Sequence, residues 1–359
     1  MIAQMLRLKH VAVVLAVAAP LLWSCGVGGL VDGLASGLTI GAGASGTGNF
    51  PIAVDEIYLN PEDTKQIHAG VLEYRAGYVL SNRSSDFGGL SGLILSPDGK
   101  AITAVTDHGN VLRAKLILDE TGRLLGLDGT EMFRLRDVRG GKLSRRLDKR
   151  DQDTEALTRL ADGSYLVSFE IRHRILHYEN LTAKPTTFAT PTQLHMAPRN
   201  GGLEAMTALP DGRIMIMTEK LRAKKIKDKA ARKKDYIGWL LSAEGKTLGK
   251  IYWPRQGKFR PTDLAAMPNG DVLMLQRRYS AAGGAGARVS MIHRDQIKVG
   301  MRMADIELAN LAPPLSVDNF EGLAVYPASN GGWWIYMLSD DNFNPLQRTL
   351  LLQFYLPKE

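Results

Sequence analysis

The sequence predicts an all-β fold, and within that class a closed β-propeller made of repeated four-stranded blades. Five segments share one pattern: a short apolar strand, a tight turn, and a second apolar strand that ends in a charged residue. They occupy residues 90–109, 154–174, 203–220, 262–278 and 320–342. No stretch between them has the character of the helical crossover that joins parallel strands. The pattern therefore favours sheets stacked around an axis over an α/β fold.

Each repeat contains a dipeptide that is typical of a tight hairpin turn. The five dipeptides are Asp98-Gly99, Asp162-Gly163, Asp211-Gly212, Asn269-Gly270 and Asn330-Gly331. Such pairs supply the positive φ angles that short hairpins require, so each repeat is expected to contain one hairpin.

The spacing of the repeats gives the size of a blade. The marker residues are Ser91, Glu155, Glu204, Asp263 and Glu321. Successive markers lie 64, 49, 59 and 58 residues apart, which leaves room for four strands in each blade. The second strands, such as residues 213–218, are apolar on both faces, as expected where a sheet packs against a neighbour on each side.

Two segments remain outside the five repeats, residues 51–88 and the strand at residues 349–356. A blade shared between the two chain ends would close the ring and remove its open edges. We therefore expect six blades, the last of them closed by both chain ends, with five blades as the alternative.

The N-terminus reads as an export signal. Arg7 and Lys9 precede an apolar run of 12 residues, 11–22, which is short for a membrane span but right for a signal peptide. Residues 22–25 resemble the lipobox of bacterial lipoproteins, so Cys25 is expected either to be lipidated and to anchor the protein in a membrane or to lie near an ordinary cleavage site. The predicted location is the periplasm or the outer membrane.

The sequence divides into three parts. We assign residues 1–25 to the signal peptide, residues 26–49 to a flexible tether rich in Gly and Ser, and residues 50–359 to one propeller domain. Cys25 is the one cysteine in the chain, so no intramolecular disulfide can form.

The positive charge of the protein is concentrated in one segment. Lys and Arg number 45 against 37 Asp and Glu, a net charge of +8, and residues 220–234 hold nine basic residues against Asp228 alone. The rest of the chain is balanced, so nucleic acid is not an expected partner. The basic arm at 220–234 is expected to be a surface excursion, with contact to an anionic surface as the alternative.

Charged residues flank the two strands of each repeat. Glu155, Glu204 and Glu321 stand at the start of a first strand, where the first repeat has Ser91 and the fourth has Thr262. The second strands end at Asp107, Glu170, Glu219, Arg277 and Asp340. Because adjacent strands are antiparallel, these positions should meet at one mouth of the central channel.

A ring of carboxylates needs a countercharge, because like charges disfavour ionisation. Ca²⁺ prefers carboxylate and carbonyl oxygens, and it is the expected cofactor. The expected ligands are Asp107, Glu170, Glu219, Glu321 and Asp340. The cations expected to bind an anionic small-molecule substrate are Arg172, Lys220, Arg277 and Arg278. The alternative is that these acids and bases form salt bridges between blades.

Five ordered phrases carry a resemblance to a known family. They are FGGLSGLILSPDGKAITAVTDHG, DTEALTRLADGSYLVSFEIRHRI, GGLEAMTALPDG, PTDLAAMPNGDVLMLQRRYS and DNFEGLAVYP. Together they resemble the bacterial family called "esterase-like activity of phytase". The resemblance runs from about residue 65 to the C-terminus, and it implies phosphate or carboxylic ester hydrolysis on a propeller-like fold.

The combined interpretation is an exported, metal-assisted hydrolase of phosphate esters, phytate-like or from other phosphorylated small molecules. Glu155, Glu204 and His108 are the expected catalytic residues, with one Glu orienting the attacking water. Ser91 as an esterase nucleophile with His108 as its base is an alternative mechanism. A non-catalytic envelope propeller that binds a ligand or a protein partner is the alternative function.

Overall fold

The computed structural model describes residues 39–42, 49–143, 151–188, 190–226 and 231–358. All of them belong to the unit Gly37–Glu359. The predicted signal peptide, Cys25 and most of the tether at residues 26–49 lie outside the described residues. Within the described part of the chain, no helix is long and apolar enough to cross a membrane.

The described chain begins with strands that come before the first repeat. They are β1 (Thr39–Ala42), β2 (Ala53–Ile57), β3 (His68–Ala69) and β4 (Leu72–Ser81). β2 and β4 pair with each other as antiparallel neighbours, and β3 pairs with the start of β4.

The first four repeats each form one antiparallel four-stranded sheet. Blade 1 contains β5 (Leu90–Leu95), β6 (Ala101–Thr106), β7 (Asn110–Leu118) and β8 (Leu124–Arg134). Blade 2 contains β9 (Thr154–Arg159), β10 (Tyr165–Phe169), β11 (Arg174–Tyr178) and β12 (Thr186–Phe188). Blade 3 contains β13 (Leu203–Ala208), β14 (Ile214–Arg222), β15 (Tyr236–Leu241) and β16 (Thr247–Trp253). Blade 4 contains β17 (Arg260–Ala266), β18 (Val272–Ser280), β19 (Gly284–Ile292) and β20 (Ile306–Leu311).

The described helices are short and lie between strands. They are the α-helix α1 (Ala223–Ile226) and two 3₁₀ helices, Thr192–Met196 and Arg294–Gln296.

The last blade is built from both ends of the chain. The fifth repeat supplies β21 (Asn319–Pro327) and β22 (Trp333–Asp340), and the strand that follows it is β23 (Thr349–Leu356). β23 pairs with β4, and the sheet runs in the order β1-β2-β4-β23-β22-β21. The predicted closure by both chain ends is confirmed.

The propeller has five blades, and the prediction of six was wrong. The fifth repeat and the strand after it supply only three strands, β21, β22 and β23, so a blade of four lacks one strand beside β23. β4 fills that place, and β2 and β1 extend the same sheet outward. The segment before the first repeat therefore completes a blade and does not form one of its own.

Five inner strands form the wall of the central channel. Each of β5, β9, β13, β17 and β21 contacts the next one around the ring, and β21 contacts β5 to close it. The sheets pack face to face through buried apolar side chains, with Trp239, Trp253 and Phe354 among the largest of them. Burying a large apolar side chain contributes about 1.5–3 kcal/mol, so this packing is the main source of stability.

Every inner strand carries a β-bulge at the same point of its repeat. The register with the second strand shifts between Ser91 and Leu93, between Thr154 and Leu157, between Leu203 and Ala205, between Pro261 and Asp263, and between Phe320 and Gly322. The extra residue in a bulge is left out of the ladder and its side chain is re-aimed. Glu155, Glu204 and Glu321 all occupy these bulges.

Asp263 is a buried acid that connects inner strands of the ring. Its Oδ2 accepts hydrogen bonds from the amides of Leu323 at 2.7 Å and Leu93 at 3.5 Å, and its Oδ1 accepts one from Leu264 at 2.8 Å. These amides belong to blades 5, 1 and 4. The carboxylate thus joins three blades at the centre of the ring. Burial raises its pKa above the ordinary value, and the three amides partly offset that rise.

The two ends of the channel differ in the side chains that line them. Beyond Asp263, where the inner strands end, lies a cavity of about 760 Å³ lined by side chains such as Leu95, Leu160, Leu209 and Met267. At the other end, where the inner strands begin, the charged residues of the repeats collect. We call this second end the acidic mouth; its acids are Asp107, Asp153, Glu155, Glu170, Glu204, Glu219, Glu321 and Asp340.

Candidate functional site

Three buried glutamates from two neighbouring blades form the centre of the acidic mouth. Glu155, Glu170 and Glu204 each place a carboxylate oxygen within 4.8 Å of the other two. Glu155 and Glu204 are bulge residues of β9 and β13, and Glu170 directly follows β10. We call these three residues the carboxylate cluster. Repetition of one local geometry in adjacent blades therefore brings together acids that are far apart in sequence.

Glu170 is fixed by the backbone of the next blade. Its Oε1 accepts hydrogen bonds from the amides of Gly201 and Gly202, the latter at 3.0 Å. The following residue, Ile171, has a φ of 57°, a left-handed conformation that is strained for a β-branched side chain. Such strain is tolerated where surrounding contacts hold the backbone in place, and it is typical of functional loops.

Burial and mutual repulsion disfavour the charged forms of the cluster. Burial raises the pKa of Glu204 well above its ordinary value, and the nearby charges of Glu219 and Glu170, together with a hydrogen bond to Glu170, raise it further. Burial likewise raises the pKa of Glu155, with Glu204 as the largest neighbouring charge. Since Glu170 also accepts two amide hydrogens, the geometry favours Glu204 as the protonated member of the Glu204–Glu170 pair.

A second group of acids adjoins the carboxylate cluster and shares Glu155 with it. Oxygens of Asp107, Asp153 and Glu155 lie within 4.8 Å of one another. Asp153 is a site residue that sequence reasoning missed. It stands two positions before Glu155, and its backbone carbonyl accepts the Glu170 amide hydrogen at 2.8 Å. The available signal was its place in the run Asp151-Gln152-Asp153, directly before a bulged strand.

The opposite half of the acidic mouth is neutralised by basic side chains. Arg277 Nη2 lies 2.9 Å from Glu321 and 3.4 Å from Glu219. Glu219 also pairs with Lys220 at 2.6 Å and with Arg260 at 3.3 Å. Burial opposes the charge of Arg277, but the carboxylates around it outweigh burial and raise its pKa. Here the alternative of salt bridges between blades describes the contacts that are seen.

Asp340 is held by hydrogen bonds close to this paired half. Its Oδ1 accepts the amide hydrogen of Asn342 at 2.6 Å, and its Oδ2 accepts one from the Asn319 side chain at 3.3 Å. The same Asn319 nitrogen donates to Glu321 at 2.8 Å. Burial raises the pKa of both acids. Of the five metal ligands expected from the sequence, Glu219, Glu321 and Asp340 therefore already have partners in the protein.

Two of the expected substrate-binding cations have contacts with residues other than the acids of the mouth. Arg172 Nη1 donates to both carboxylate oxygens of Asp151, at 2.7 and 2.8 Å. Arg278 packs over the ring of Phe259, with its guanidinium carbon 5.6 Å from the ring centroid. Successive residues of a strand point to opposite faces, so Arg278 lies on the other face of β18 from Arg277. A role of Arg172 and Arg278 in substrate binding stays a prediction.

The alternative esterase pair is not assembled in an accessible form. Ser91 is only 1% exposed. The His108 ring stacks on Phe343, with the ring centroids 4.1 Å apart. A catalytic role of His108 stays a prediction.

The carboxylate cluster has the donor set that a hard divalent cation requires. Glu155 is 6% exposed, and within the described parts of the chain no hydrogen bond or ion pair reaches its carboxylate. A buried carboxylate without a partner is costly, and a cation beside Glu155 would remove that cost. Oxygen ligands alone favour Ca²⁺ or Mg²⁺ over softer metals, so the residues fit the expected cofactor. Of the expected ligands, Asp107 and Glu170 lie in these groups of acids, and Glu155 and Glu204 join them.

Comparison with known proteins gives a family and a distant set of similar structures. The family described as Phytase-like, esterase-like activity of phytase, matches residues 85–343. No curated protein matches the sequence.

Two solved structures illustrate the level of structural similarity. The PQQ-bound aldose sugar dehydrogenase of Streptomyces coelicolor is 12% identical, with 77% of this chain and 98% of that chain covered and a TM-score of 0.43. A protein of unknown function from Dyadobacter fermentans is 10% identical, with 88% and 95% covered and a TM-score of 0.42. Similarity at this level says nothing about the reaction.

Proposed function

The chain belongs to the Phytase-like family, esterase-like activity of phytase, and from this premise we propose that the acidic mouth hydrolyses phosphate esters of small molecules with the help of a divalent cation. The observation that carries the proposal is the carboxylate cluster, in which Glu155, Glu170 and Glu204 are buried together. A buried group of acids that lacks matching cations is costly to maintain, and such groups are typical of functional sites.

The residues that would hold the cation are Glu155, Glu170 and Glu204, with Asp107 and Asp153 beside them. When bound, a divalent cation polarises a phosphoryl oxygen and lowers the pKa of a coordinated water. The protein supplies rigidity, because the amides of Gly201 and Gly202 hold Glu170 in place.

We assign proton transfer to the Glu204–Glu170 pair. A pair of carboxyl groups that shares one proton can accept a proton from an attacking water and deliver one to the departing alkoxide. The pKa of Glu204 is raised in the cation-free protein. A bound cation would lower it and favour the carboxylate form, which can accept a proton from the attacking water.

Arg277 is suited to binding the phosphate of the substrate. Glu219 and Glu321 hold its guanidinium at the mouth, and 26% of its side chain remains exposed. A guanidinium offers several donors in a plane, which matches the oxygens of a phosphate group.

A location outside the cytoplasm is part of the same proposal. It is supported by the sequence pattern of residues 1–25, which is typical of a signal peptide.

The proposal is tested by measuring phosphate and carboxylate release from a panel of phosphomonoesters and carboxylic esters. The full chain is assayed with Ca²⁺ or Mg²⁺ and with a chelator. We expect phosphate release that the chelator abolishes and that Glu204→Gln or Glu155→Gln lowers by about 100-fold or more, the range typical of a lost acid–base group. Glu120→Gln, at an exposed turn between β7 and β8, is the matched control and should keep full activity.

Two results would contradict the proposal. Turnover that persists in both the chelator and the Glu204→Gln variant would place the reaction elsewhere on the protein. No turnover on any ester, together with saturable ligand binding at the mouth, would favour the alternative of a non-catalytic binding propeller.

A further inference from the structure

A second polar cavity, separate from the carboxylate cluster, opens beside blade 3. Its volume is about 530 Å³, a size that suits a small ligand. It lies between the connection from β14 to β15 and the connection from β16 to β17. The side chains around it are mostly basic; they are Arg232, Lys233, Lys234, Asp235, Arg255 and Arg302.

The acid of this cavity is already neutralised. Asp235 Oδ2 lies 2.8 Å from Arg302 Nε, and its Oδ1 lies 3.3 Å from Arg302 Nη2. The backbone amide of Arg232 also donates to Oδ2 at 2.8 Å. Arg302 therefore offsets Asp235, and the lining keeps an excess of four positive charges.

Arg255 provides an independent observation, a buried donor without an acceptor among the described residues. Its Nε is buried and has no hydrogen-bond partner within the described part of the protein. An unsatisfied buried donor on a charged group costs free energy that water or an acceptor must recover. A guanidinium beside three exposed basic side chains is a donor set for an oxyanion.

We infer that this cavity binds a phosphoryl-type oxyanion, carried either by a soluble phosphate compound or by a lipid headgroup. The chemistry is the same for both sources, because Arg and Lys donors recognise the tetrahedral oxygens and the negative charge of the phosphoryl group. The site does not depend on the proposed hydrolysis, since it contains no member of the carboxylate cluster. It also gives the described part of the basic arm at residues 220–234 a defined ligand chemistry.

The test measures binding of pyrophosphate to the full chain by calorimetry, at constant ionic strength and with a chelator present. The chelator prevents phosphate from binding through a cation in the acidic mouth. We expect saturable binding that Arg255→Gln weakens about tenfold or more. Lys246→Gln, an exposed position at the β15–β16 turn, removes the same charge from the opposite end of blade 3 and should leave the affinity unchanged.

A second arm distinguishes the two sources of the anion. Phosphatidylcholine vesicles containing phosphatidic acid are sedimented with the wild-type and Arg255→Gln proteins. Sedimentation that needs Arg255 assigns the site to a lipid headgroup, whereas pyrophosphate binding without sedimentation assigns it to a soluble compound. Should Arg255→Gln fail to fold, the exposed pair Lys233→Gln/Lys234→Gln replaces it, with weaker binding of the same probe expected.

The inference fails under either of two outcomes. One is the absence of saturable binding by both probes. The other is binding that neither Arg255→Gln nor the lysine pair changes, because the anion would then lie elsewhere on the protein.

Discussion

At the scale of single residues, the acidic mouth combines two ways of keeping carboxylates buried. Glu219 and Glu321 are neutralised by Arg277 and its neighbours. Glu155 and Glu204 lack such cations, and their pKa values are raised first by burial and then by neighbouring carboxylates, chiefly Glu204 for Glu155 and Glu219 for Glu204. Buried carboxylates without neighbouring cations are the less stable arrangement at neutral pH. Groups of this kind are typical of functional sites.

The raised pKa of Glu204 makes the stability of the cation-free protein depend on pH. Between the ordinary carboxyl pKa and the raised one, the folded state binds more protons than the unfolded state, so the free energy of unfolding falls as pH rises through that window. We expect the free energy of unfolding of Glu204→Gln, measured with urea at pH 8 in chelator, to exceed that of the wild type by about 1 kcal/mol or more. The difference should shrink toward pH 4.5 and vanish below it, because the wild-type carboxyl is protonated in the folded state there and becomes protonated in the unfolded state as pH falls through 4.5.

Glu120→Gln is the control for this comparison because its side chain is exposed. Added Ca²⁺ should stabilise the wild type and have less effect on Glu204→Gln, since the variant lacks one ligand oxygen with charge. Equal unfolding midpoints of the wild type and Glu204→Gln across the pH range would show that ionisation of the buried Glu204 does not lower the stability of the folded state.

At the scale of elements, the repeated β-bulge is the device that builds the mouth. In blade 3, for example, Leu203 pairs with Thr218 and Ala205 with Met217, which leaves Glu204 outside the ladder. The sequence places Glu155 and Glu204 seven residues before the Asp of their turns and Glu321 nine residues before Asn330. Their gathering at one end of the channel could therefore be predicted from strand direction. The bulge could not, because it depends on how the inner strands press together around the axis.

Gly92 shows how tight that contact between inner strands is. A Cβ at this position would lie 2.7 Å from the backbone oxygen of Glu155 and 2.7 Å from the backbone nitrogen of Leu157, both in the next blade. The φ angle of Gly92 is +46°. We expect Gly92→Ala to lower the free energy of unfolding by about 3 kcal/mol or more, from the clash and the backbone strain together. Urea unfolding followed by circular dichroism measures the change.

Gly212→Ala is the matched control, because its φ is +85° but no atom lies within 4 Å of the added Cβ. It should cost about 1 kcal/mol, from the positive φ alone. If both variants lost the same stability, the close approach of β5 to β9 would not be a rigid feature of the ring.

At the scale of the whole molecule, the ring is closed by the pairing of β4 with β23. The pairing runs from Thr349 opposite Leu80 to Tyr355 opposite Glu73. Gln353 joins this seam to blade 1, since its side chain accepts from the Leu124 amide and donates to the Gly122 carbonyl, both at 2.8 Å. Closure therefore removes the exposed edges that open sheets present to other chains.

Removal of β23 should open the ring. A chain that ends at Arg348 leaves β4 and β22 without their shared partner, so we expect loss of cooperative thermal unfolding and formation of aggregates, measured by calorimetry and size-exclusion chromatography. A chain that ends at Pro357 keeps the strand and should behave as the full protein does. Cooperative unfolding of the shorter chain at the wild-type temperature would mean that the other four blades close the ring without it.

Local patterns in the sequence were enough to predict the class of fold, the five hairpins and the end of the channel at which the acids collect. Those features follow from alternation, turn chemistry and strand direction, which act over a few residues. Four features could be learned from the folded protein alone: there are five blades, Arg278 lies on the other face of its strand from Arg277, Glu219 and Glu321 are paired, and Asp153 joins the site. These outcomes depend on contacts between residues far apart in sequence, where the free energy of closing the ring and of pairing buried charges outweighs any local preference.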